Sequence, residues 1–284
     1  MNTYTIAEFG SCHDNDFDAM LDGIRVAAEA GASVCKFQWT SDPERMAKRR
    51  GKAFEDGYAD VYRRYLTWPA EWHGLLREAC DDAGVDYMCS VFLPEDVAVV
   101  APFVAHFKIA SFEAEDAEMW AAHEGKDVGM SPRRVIASMG MGATEKASWG
   151  GALTVAPFAR RLYCVSAYPA PHDGLCLRAM SGHGYDGLSD HTAPELTWTG
   201  ALAVAAGAEI VEAHFRLDGT DPANPDYPHA MTPAQLTEYI GNIKFTEECL
   251  GTGDTGLQDC ERPMLRYKVS GTETRGEPTT VKAT

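Results

Sequence analysis

The 284-residue sequence lacks the features that mark several broad classes of protein. No stretch approaches the ~18–20 consecutive apolar residues that a membrane span needs, and the N-terminus becomes acidic too early for a secretory signal. The eight cysteines form no CxxC pair, which argues against a structural zinc ribbon. Several of them lie in apolar runs, as reduced thiols do, and we therefore expect a cytoplasmic protein.

Basic residues are scarce relative to acidic ones. The 25 Lys and Arg residues against 42 Asp and Glu residues give a formal net charge of −17. Because the phosphate backbone of a nucleic acid attracts the opposite charge, we expect no nucleic-acid partner. The charge balance does not exclude a small anionic substrate, which responds to the local field within a cleft.

Short apolar runs alternate with amphipathic stretches of helical period along most of the chain. Eight strand-then-helix units within residues 1–250 predict an α/β fold of the (β/α)8 TIM-barrel type. The fifth predicted helix, residues 142–155, is the weakest because it contains several glycines. Residues 251–284 are rich in Gly, Thr and charge, which predicts an extended or mobile tail. The predicted strands are residues 5–9, 33–38, 86–92, 106–111, 133–140, 161–169, 186–192 and 208–215.

Polar residues follow or end most of these strands, where the active site of a (β/α)8 barrel lies. Two lysines among several hydroxyls predict an anion site, for a phosphate or for a phosphate with a carboxylate. Two histidines at the ends of neighbouring strands could share a divalent metal. The candidates are Glu8, Lys36, Gln38, Ser90, Lys108, Ser111, Glu113, Ser138, Ser166, Tyr168, Ser189, His191, Glu212 and His214.

Each candidate also has a purely structural interpretation. An unpaired lysine inside an apolar strand is costly to bury, which favours a functional role for Lys36 and Lys108. His191 and His214 could instead be hydrogen-bonded core histidines. Glu8 could be tied to a neighbouring lysine for stability, and serines are common at helix N-termini.

Seven segments in register with the predicted strands resemble the N-acetylneuraminate (sialic acid) synthase family. They are AEFGSCH, VCKFQ, FKIASFE, IASMGM, CVSAYPAP, LSDHT and EAHF, and the resemblance covers about residues 4 to 250. It implies a (β/α)8 barrel that condenses phosphoenolpyruvate with an aldose and releases phosphate, giving a 2-keto-3-deoxy sugar acid. It also implies a divalent metal, typically Mn²⁺, with Mg²⁺ or Co²⁺ as alternatives.

The resemblance implies a role for individual residues. Lys36 and Lys108 match lysines that bind phosphoenolpyruvate, and His191 and His214 match the two metal ligands. Asp226 matches the acidic residue of a family loop; His229 lies close by but is not implied as a ligand. The hydroxyls implied around the phosphate and carboxylate are Ser90, Ser111, Ser138, Tyr168 and Ser189, and Ser166, at the end of the sixth predicted strand, is a further substrate-binding candidate. The residues implied near the reacting atoms or the sugar are Glu8, Gln38 and Glu113, with Glu8 or Asp226 as the base that activates water.

The sequence departs from the family pattern on the sugar side. The family's C-terminal domain, which resembles type III antifreeze protein and contributes to its dimer, does not match residues 251–284. Cys12 and Met139 replace an Asn and a Thr. The acceptor is therefore left open, and a homodimer is a possible assembly.

A basic cluster, residues 45–52, follows the second predicted strand in this acidic chain. It is either a solvated helix face or a lid that recognises an acidic acceptor. Three functions remain: a sialic-acid-synthase-like enzyme, a 3-deoxy-ulosonate synthase acting on a phosphorylated or nucleotide-type acceptor, and a non-catalytic barrel that serves as a binding scaffold.

Overall fold

Eight parallel strands form a closed barrel in the computed structural model of the chain, which describes residues 2–53, 55–124, 135–142, 159–178, 180 and 184–269. The strands pair in chain order, and the last pairs with the first, which confirms the predicted TIM barrel. Each strand overlaps the apolar run that predicted it. The bounds are β1 Tyr4–Gly10, β2 Val34–Trp39, β3 Asp86–Val91, β4 Phe107–Ile109, β5 Val135–Met139, β6 Ala159–Cys164, β7 Gly187–Asp190 and β8 Ile210–His214.

Helices lie between the strands. In the part of the chain that the structure describes, they are α1 Phe17–Ala30, α2 Pro43–Arg49, α3 Tyr58–Leu66, α4 Trp72–Ala83, α5 Asp96–Val100, α6 Ala117–His123, α7 Thr199–Ala205 and α8 Pro233–Leu250. The helix predicted over 142–155 falls almost entirely outside the described residues. None of the described helices is both long and apolar enough to cross a membrane.

The two faces of each strand serve different parts of the structure, because successive side chains alternate in direction. Outward-facing residues such as Phe9, Phe37 and Tyr87 join the main core between barrel and helices. Inward-facing residues near the strand starts form a separate apolar layer inside the barrel: Ile6, Val34, Met88, Ile136, Leu162 and Ile210. Two residues further along the strands, the inward positions become polar and include Glu8, Lys36, Ser138, Ser189 and Glu212, most of them in direct register.

An insertion between β2 and α4, residues 40–71, contains the short helices α2 and α3. Helix α2 begins at Pro43, after Asp42 accepts a hydrogen bond from the Arg45 amide at 3.0 Å. Residues of this insertion reach the C-terminal ends of the strands, since Leu66 accepts a backbone hydrogen bond from Thr40 just beyond β2. The sequence indicated a long polar insertion here but not two helices.

The chain divides into two units, Met1–Cys249 and Leu250–Thr284. In the second unit the described residues, 250–269, are all exposed and include a 3₁₀ helix, Asp259–Tyr267, that the sequence pattern did not predict. The extended or mobile character expected of 251–284 stays a prediction.

Close packing between α7 and α8 depends on one glycine. A Cβ at Gly200 would lie 2.4 Å from Cζ of Tyr239, whose ring is fully buried. The Tyr239 hydroxyl donates to Asp190 Oδ2 at 2.8 Å, and Thr199 donates to the same oxygen. The glycine therefore lets α8 approach the end of β7, directly beside His191.

We expect Gly200→Ala to lower the thermal midpoint by about 2–6 °C. Overpacking a rigid core costs on the order of 1–3 kcal/mol, which outweighs the gain in helix propensity. Gly241→Ala is the matched control, because Gly241 is also helical and a Cβ there meets no atom within 4 Å. This variant should keep or raise the midpoint in the same differential scanning experiment. Equal midpoints for both variants would contradict the packing argument.

Candidate active site

A cavity of about 240 Å³ opens at the C-terminal ends of the strands. It lies where a (β/α)8 barrel carries its reactive groups. Ten of the fourteen predicted site residues line it: Lys36, Gln38, Lys108, Ser111, Ser138, Tyr168, Ser189, His191, His214 and Asp226.

The other four predicted residues, Glu8, Ser90, Glu113 and Ser166, do not line the cavity. Each of them contacts or pairs with a residue that does line the cavity. Glu8 accepts a hydrogen bond from Gln38 Nε2 at 2.8 Å, and Ser166 donates to Ser111 Oγ at 2.9 Å. Glu113 is covered by the side chain of Arg50. Ser90 pairs in register with Lys108, beneath the cavity floor. The roles predicted for these four residues stay predictions.

Two buried ammonium groups and two buried carboxylates form the floor of the cavity. Lys36 contacts Glu8, and its Nζ lies 3.7 Å from Glu212 Oε2. Lys108 Nζ lies 3.4 Å from Glu212 Oε1. All four side chains are nearly inaccessible to solvent. Glu212 therefore bridges the two lysines, which lie on β2 and β4.

The protonation states of this group follow from burial and from mutual charge. Burial raises the pKa of Glu8 to about 7, although Lys36 partly opposes the shift. Burial acts in the same direction on Glu212, but the two lysines outweigh it and lower the Glu212 pKa to about 2. Burial also lowers the pKa of Lys108. Glu212 is thus a permanent counter-charge, whereas Glu8 can gain or lose a proton near neutral pH.

Hydroxyl groups surround the ammonium groups. Lys108 donates to Ser138 Oγ at 2.8 Å, and Ser189 donates to Glu212 Oε1 at 3.1 Å. Ser111 receives its hydrogen bond from Ser166 at the same mouth. Cations next to hydroxyl donors are the chemistry that binds phosphate and carboxylate groups.

Three imidazoles and one carboxylate face this anion site. The ring centroids of His191 and His214 lie 5.4 Å apart, and those of His214 and His229 lie 4.5 Å apart. Asp226 has carboxylate oxygens 3.8 Å from His214 Nδ1 and 3.8 Å from His229 Nε2. One ligand atom from each of His214, Asp226 and His229 lies within 4.8 Å of the others.

The histidines are held in the neutral form that metal ions require. Burial lowers the pKa of His191 to about 4 and lowers the pKa of both His214 and His229. Among the described residues, His214 Nδ1 and both ring nitrogens of His229 find no hydrogen-bond partner although they are buried. Buried imidazole nitrogens without hydrogen-bond partners are free to coordinate a cation, so they fit a metal site.

Loop contacts place Asp226 beside the histidines. Its Oδ2 accepts hydrogen bonds from the Ser11 hydroxyl at 2.7 Å and the Ser11 amide at 3.1 Å. Gly10 makes this approach possible, because its φ is +56° and a Cβ there would lie 2.7 Å from Asp226 Oδ2. The end of β1 and the loop after β8 are thereby fixed against each other.

Sequence reasoning named Glu212, His229 and Arg50 but gave none of them a specific role in the site. Glu212 carried a usable signal, since it is an acidic residue two positions before His214 in an apolar strand and so shares its inward face. His229 and Arg50 come from loops. Only the folded chain brings them to the cavity.

The basic cluster of the β2–α4 insertion is largely used on the surface. Arg45 pairs with Glu95 at 2.6 Å, and Lys52 pairs with Glu55 at 2.7 Å. Arg49 binds the carboxylates of Asp116 and Glu118, each at 2.6 Å. These ion pairs support the solvated-face interpretation rather than a lid of free cations. Of residues 45–52, Arg50 alone lines the cavity.

Comparisons with known proteins find relatives that match most of the chain. Over 286 residues the chain is 28% identical to the N,N'-diacetyllegionaminic acid synthase of Legionella pneumophila, covering 93% of this chain and 78% of the relative. It is 27% identical to a pseudaminic acid synthase of Campylobacter jejuni, covering 90% of this chain and 77% of the relative.

Among solved structures, the fold matches an N-acetylneuraminic acid synthetase from Leptospira borgpetersenii in complex with citrate. The TM-score is 0.78 at 23% identity, over 94% of this chain and 91% of that one. The NeuB family model matches residues 23–255. The chain with this barrel and this cavity belongs to the NeuB family.

Proposed function

We propose that this protein is a metal-dependent synthase that condenses phosphoenolpyruvate with an aldehyde-bearing sugar. A new C–C bond forms, phosphate is released, and the product is a 2-keto-3-deoxy sugar acid. The observation that carries the proposal is the pairing of two buried ammonium groups with a cluster of neutral imidazoles across one cavity. Relatives named as synthases of legionaminic and pseudaminic acids support the same class of reaction.

Lys36 and Lys108 are the proposed phosphoenolpyruvate site, with Ser111, Ser138 and Ser189 as hydrogen-bond donors. In the free protein the carboxylates of Glu8 and Glu212 balance the two lysine charges, so the four side chains together are nearly neutral. A bound polyanion therefore adds an excess of negative charge. Glu8 can relieve this excess by taking up a proton, because its pKa of about 7 lies near physiological pH. Its contact with Lys36 makes it a positioning residue for that ammonium group.

A divalent cation fits the opposite wall. The proposed ligands are His191 and His214. The unpartnered ring nitrogens and the ligand spacing favour His214 together with Asp226 and His229, and His191 lies beside this group. Nitrogen and oxygen donors of this kind suit Mn²⁺, with Mg²⁺ or Co²⁺ as alternatives. Such an ion, when bound, polarises the carbonyl oxygen of the acceptor aldehyde.

The chain's own residues account for the remaining steps. The lysines and serines hold the enol phosphate so that its C3 faces the aldehyde carbon, and much of the rate comes from this alignment. The C2=C3 electron pair forms the new bond, and the aldehyde oxygen takes up a proton. Water then adds to C2 and loses a proton to a carboxylate. The C2–O bond to phosphate then breaks while the C2 hydroxyl gives its proton to the departing phosphate, which leaves a keto group at C2.

Asp226 is the better placed of the two carboxylates proposed as the base. It lines the cavity beside the imidazoles, whereas Glu8 lies beneath Lys36. Glu113 is placed near the proposed acceptor position by its hydrogen bond with Arg50. Gln38 donates a hydrogen bond to Glu8 and so lies nearer to Lys36.

A phosphate-release screen tests the proposal. Phosphoenolpyruvate and Mn²⁺ are combined with a panel of neutral, phosphorylated and nucleoside-derived aldehydes, and products are identified by mass spectrometry. Release that depends on both the aldehyde and the protein, with a product mass equal to the sum of substrates plus water minus phosphoric acid, is the expected result. Tight binding of phosphoenolpyruvate without release for every aldehyde would favour the scaffold alternative.

Lys108→Met should weaken phosphoenolpyruvate binding by at least 100-fold. The variant removes one of two charge-assisted contacts and leaves the Glu212 carboxylate facing the ligand. Isothermal titration measures the affinity, and circular dichroism establishes that the variant is folded. Lys48→Met, which changes an exposed lysine of α2, should bind like the unmodified protein. Unaltered affinity in Lys108→Met would refute the assignment.

His214→Ala should lower Mn²⁺ affinity at least tenfold, because it removes the imidazole at the centre of the cluster. The free ion is followed by its electron paramagnetic resonance signal, which does not depend on catalysis. His172→Ala is the control, since His172 lies exposed in a 3₁₀ helix away from the cavity. Chelation with EDTA should abolish phosphate release and added Mn²⁺ should restore it. Equal Mn²⁺ titrations for the two variants would remove the metal site from the proposal.

A further inference from the structure

The outer part of the cavity differs in chemistry from its floor. Its wall is formed by one cation and a set of aromatic and aliphatic side chains, which we name the aromatic compartment: Arg50, Val61, Tyr62, Tyr65, Leu66, Phe92 and Phe112. Most of these residues belong to the β2–α4 insertion, and Phe92 and Phe112 follow β3 and β4. The insertion thus builds the part of the cavity that an acceptor must pass.

The charge of Arg50 is already compensated. Its Nε donates to Glu113 Oε1 at 2.9 Å, and Nη2 donates to the same oxygen. Its Nη1 lies 3.3 Å from the Tyr58 hydroxyl and 3.2 Å from that of Tyr62. With four of its five N–H groups engaged, the guanidinium has little left to offer a second anion.

Aromatic rings also cover the faces of this guanidinium. The Arg50 Cζ atom lies 5.1 Å from the ring centroid of Phe92 and 5.1 Å from that of Phe112. Phe112 is nevertheless 54% exposed, at the mouth of the cavity. A large apolar ring open to water at the entrance of a binding cavity gains free energy when another flat, uncharged group covers it.

Among the described residues, Arg50 is the one cation that lines this compartment. Arg45, Arg49 and Lys52 are paired on the surface, and Arg64 pairs with Asp221 at 2.6 Å. Among the described cavity-lining residues, the remaining lysines are those of the floor. A phosphate group on the acceptor would therefore have to lose its hydration without gaining a free cation in return.

We infer that the aromatic compartment selects acceptors whose group remote from the aldehyde is uncharged and flat or apolar, and that it rejects phosphorylated acceptors. Phe112 is the proposed stacking surface, and the Arg50–Glu113 pair keeps the wall neutral and rigid. This inference depends on the proposed function only for the reaction at the aldehyde end of the acceptor. It excludes the alternative of a synthase that acts on a phosphorylated acceptor. The acceptor screen described above identifies the aldehyde itself.

Three acceptors that share one aldehyde and differ only at O6 test the inference: mannose, 6-O-benzylmannose and mannose 6-phosphate. Each is assayed for phosphate release with phosphoenolpyruvate and Mn²⁺. We expect kcat/KM for the benzyl ether to exceed that for the phosphate ester at least tenfold. Equal or preferential use of mannose 6-phosphate overturns the inference while it supports the proposed function.

Binding of the three corresponding alditols to the phosphoenolpyruvate-loaded protein, measured by isothermal titration, separates the two proposals. If no aldehyde releases phosphate but the benzyl alditol binds at least tenfold tighter than the alditol phosphate, the proposed function fails and the selectivity stands. Tighter binding of the phosphate, or equal or absent binding of both, overturns the selectivity.

Phe112→Ala tests the stacking surface within the same series. It should reduce the preference for the benzyl ether over mannose about tenfold, mainly through KM, because a stacked ring is lost. Trp198→Ala is the matched control: Trp198 is an aromatic residue 51% exposed to solvent that does not line the cavity. The control should keep the preference. An unchanged preference in Phe112→Ala would refute the role of this ring.

Discussion

The pairing of two lysines with two glutamates inside the barrel is the constraint on which the rest of the site depends. Burying isolated charges is costly, and these four side chains are almost completely removed from water. They are tolerated because Glu212 contacts both Lys36 and Lys108, while Glu8 contacts Lys36. Loss of any one partner would leave a buried charge without compensation, so the arrangement also fixes the strands that carry it.

The barrel supplies this constraint through its geometry. Inward positions two residues apart fall in successive layers, so an apolar layer at Ile6 and Val34 is followed by a charged one at Glu8 and Lys36. The direct register of Glu8 with Lys36 and with His214 then brings the anion site and the imidazole cluster to one mouth. The positions of Glu8, Lys36 and His214 are therefore a consequence of strand period and closure, whereas loops add Asp226 and His229 to the imidazole cluster and build the outer rim.

Much of this could be predicted from the sequence for physical reasons. Alternation of apolar runs and helical stretches predicted the closed barrel, and lysines within apolar strands such as VCKFQ predicted the anion site. Residues such as Lys36 and His214 are placed by strand period alone. Arg50 and His229 are placed by long-range contacts of loops, including the packing of Arg50 on Phe92, and no local pattern specifies these. The pairing of Glu113 with Arg50 likewise could not be predicted from their spacing in the sequence.

The apolar layer beneath the charged residues has a further consequence for the order of events. Ile6, Met88 and Leu162 form an apolar layer inside the barrel below the lysines, so the cavity is a chamber closed at that end. In the proposed arrangement the enol phosphate lies on the floor and the acceptor lies in the outer compartment. The acceptor then covers the enol phosphate and separates it from solvent, so the enol phosphate has to bind first. Such a chamber imposes a compulsory sequence of loading. A sugar that arrives early obstructs the anion behind it, and excess acceptor would then act as an inhibitor of its own conversion.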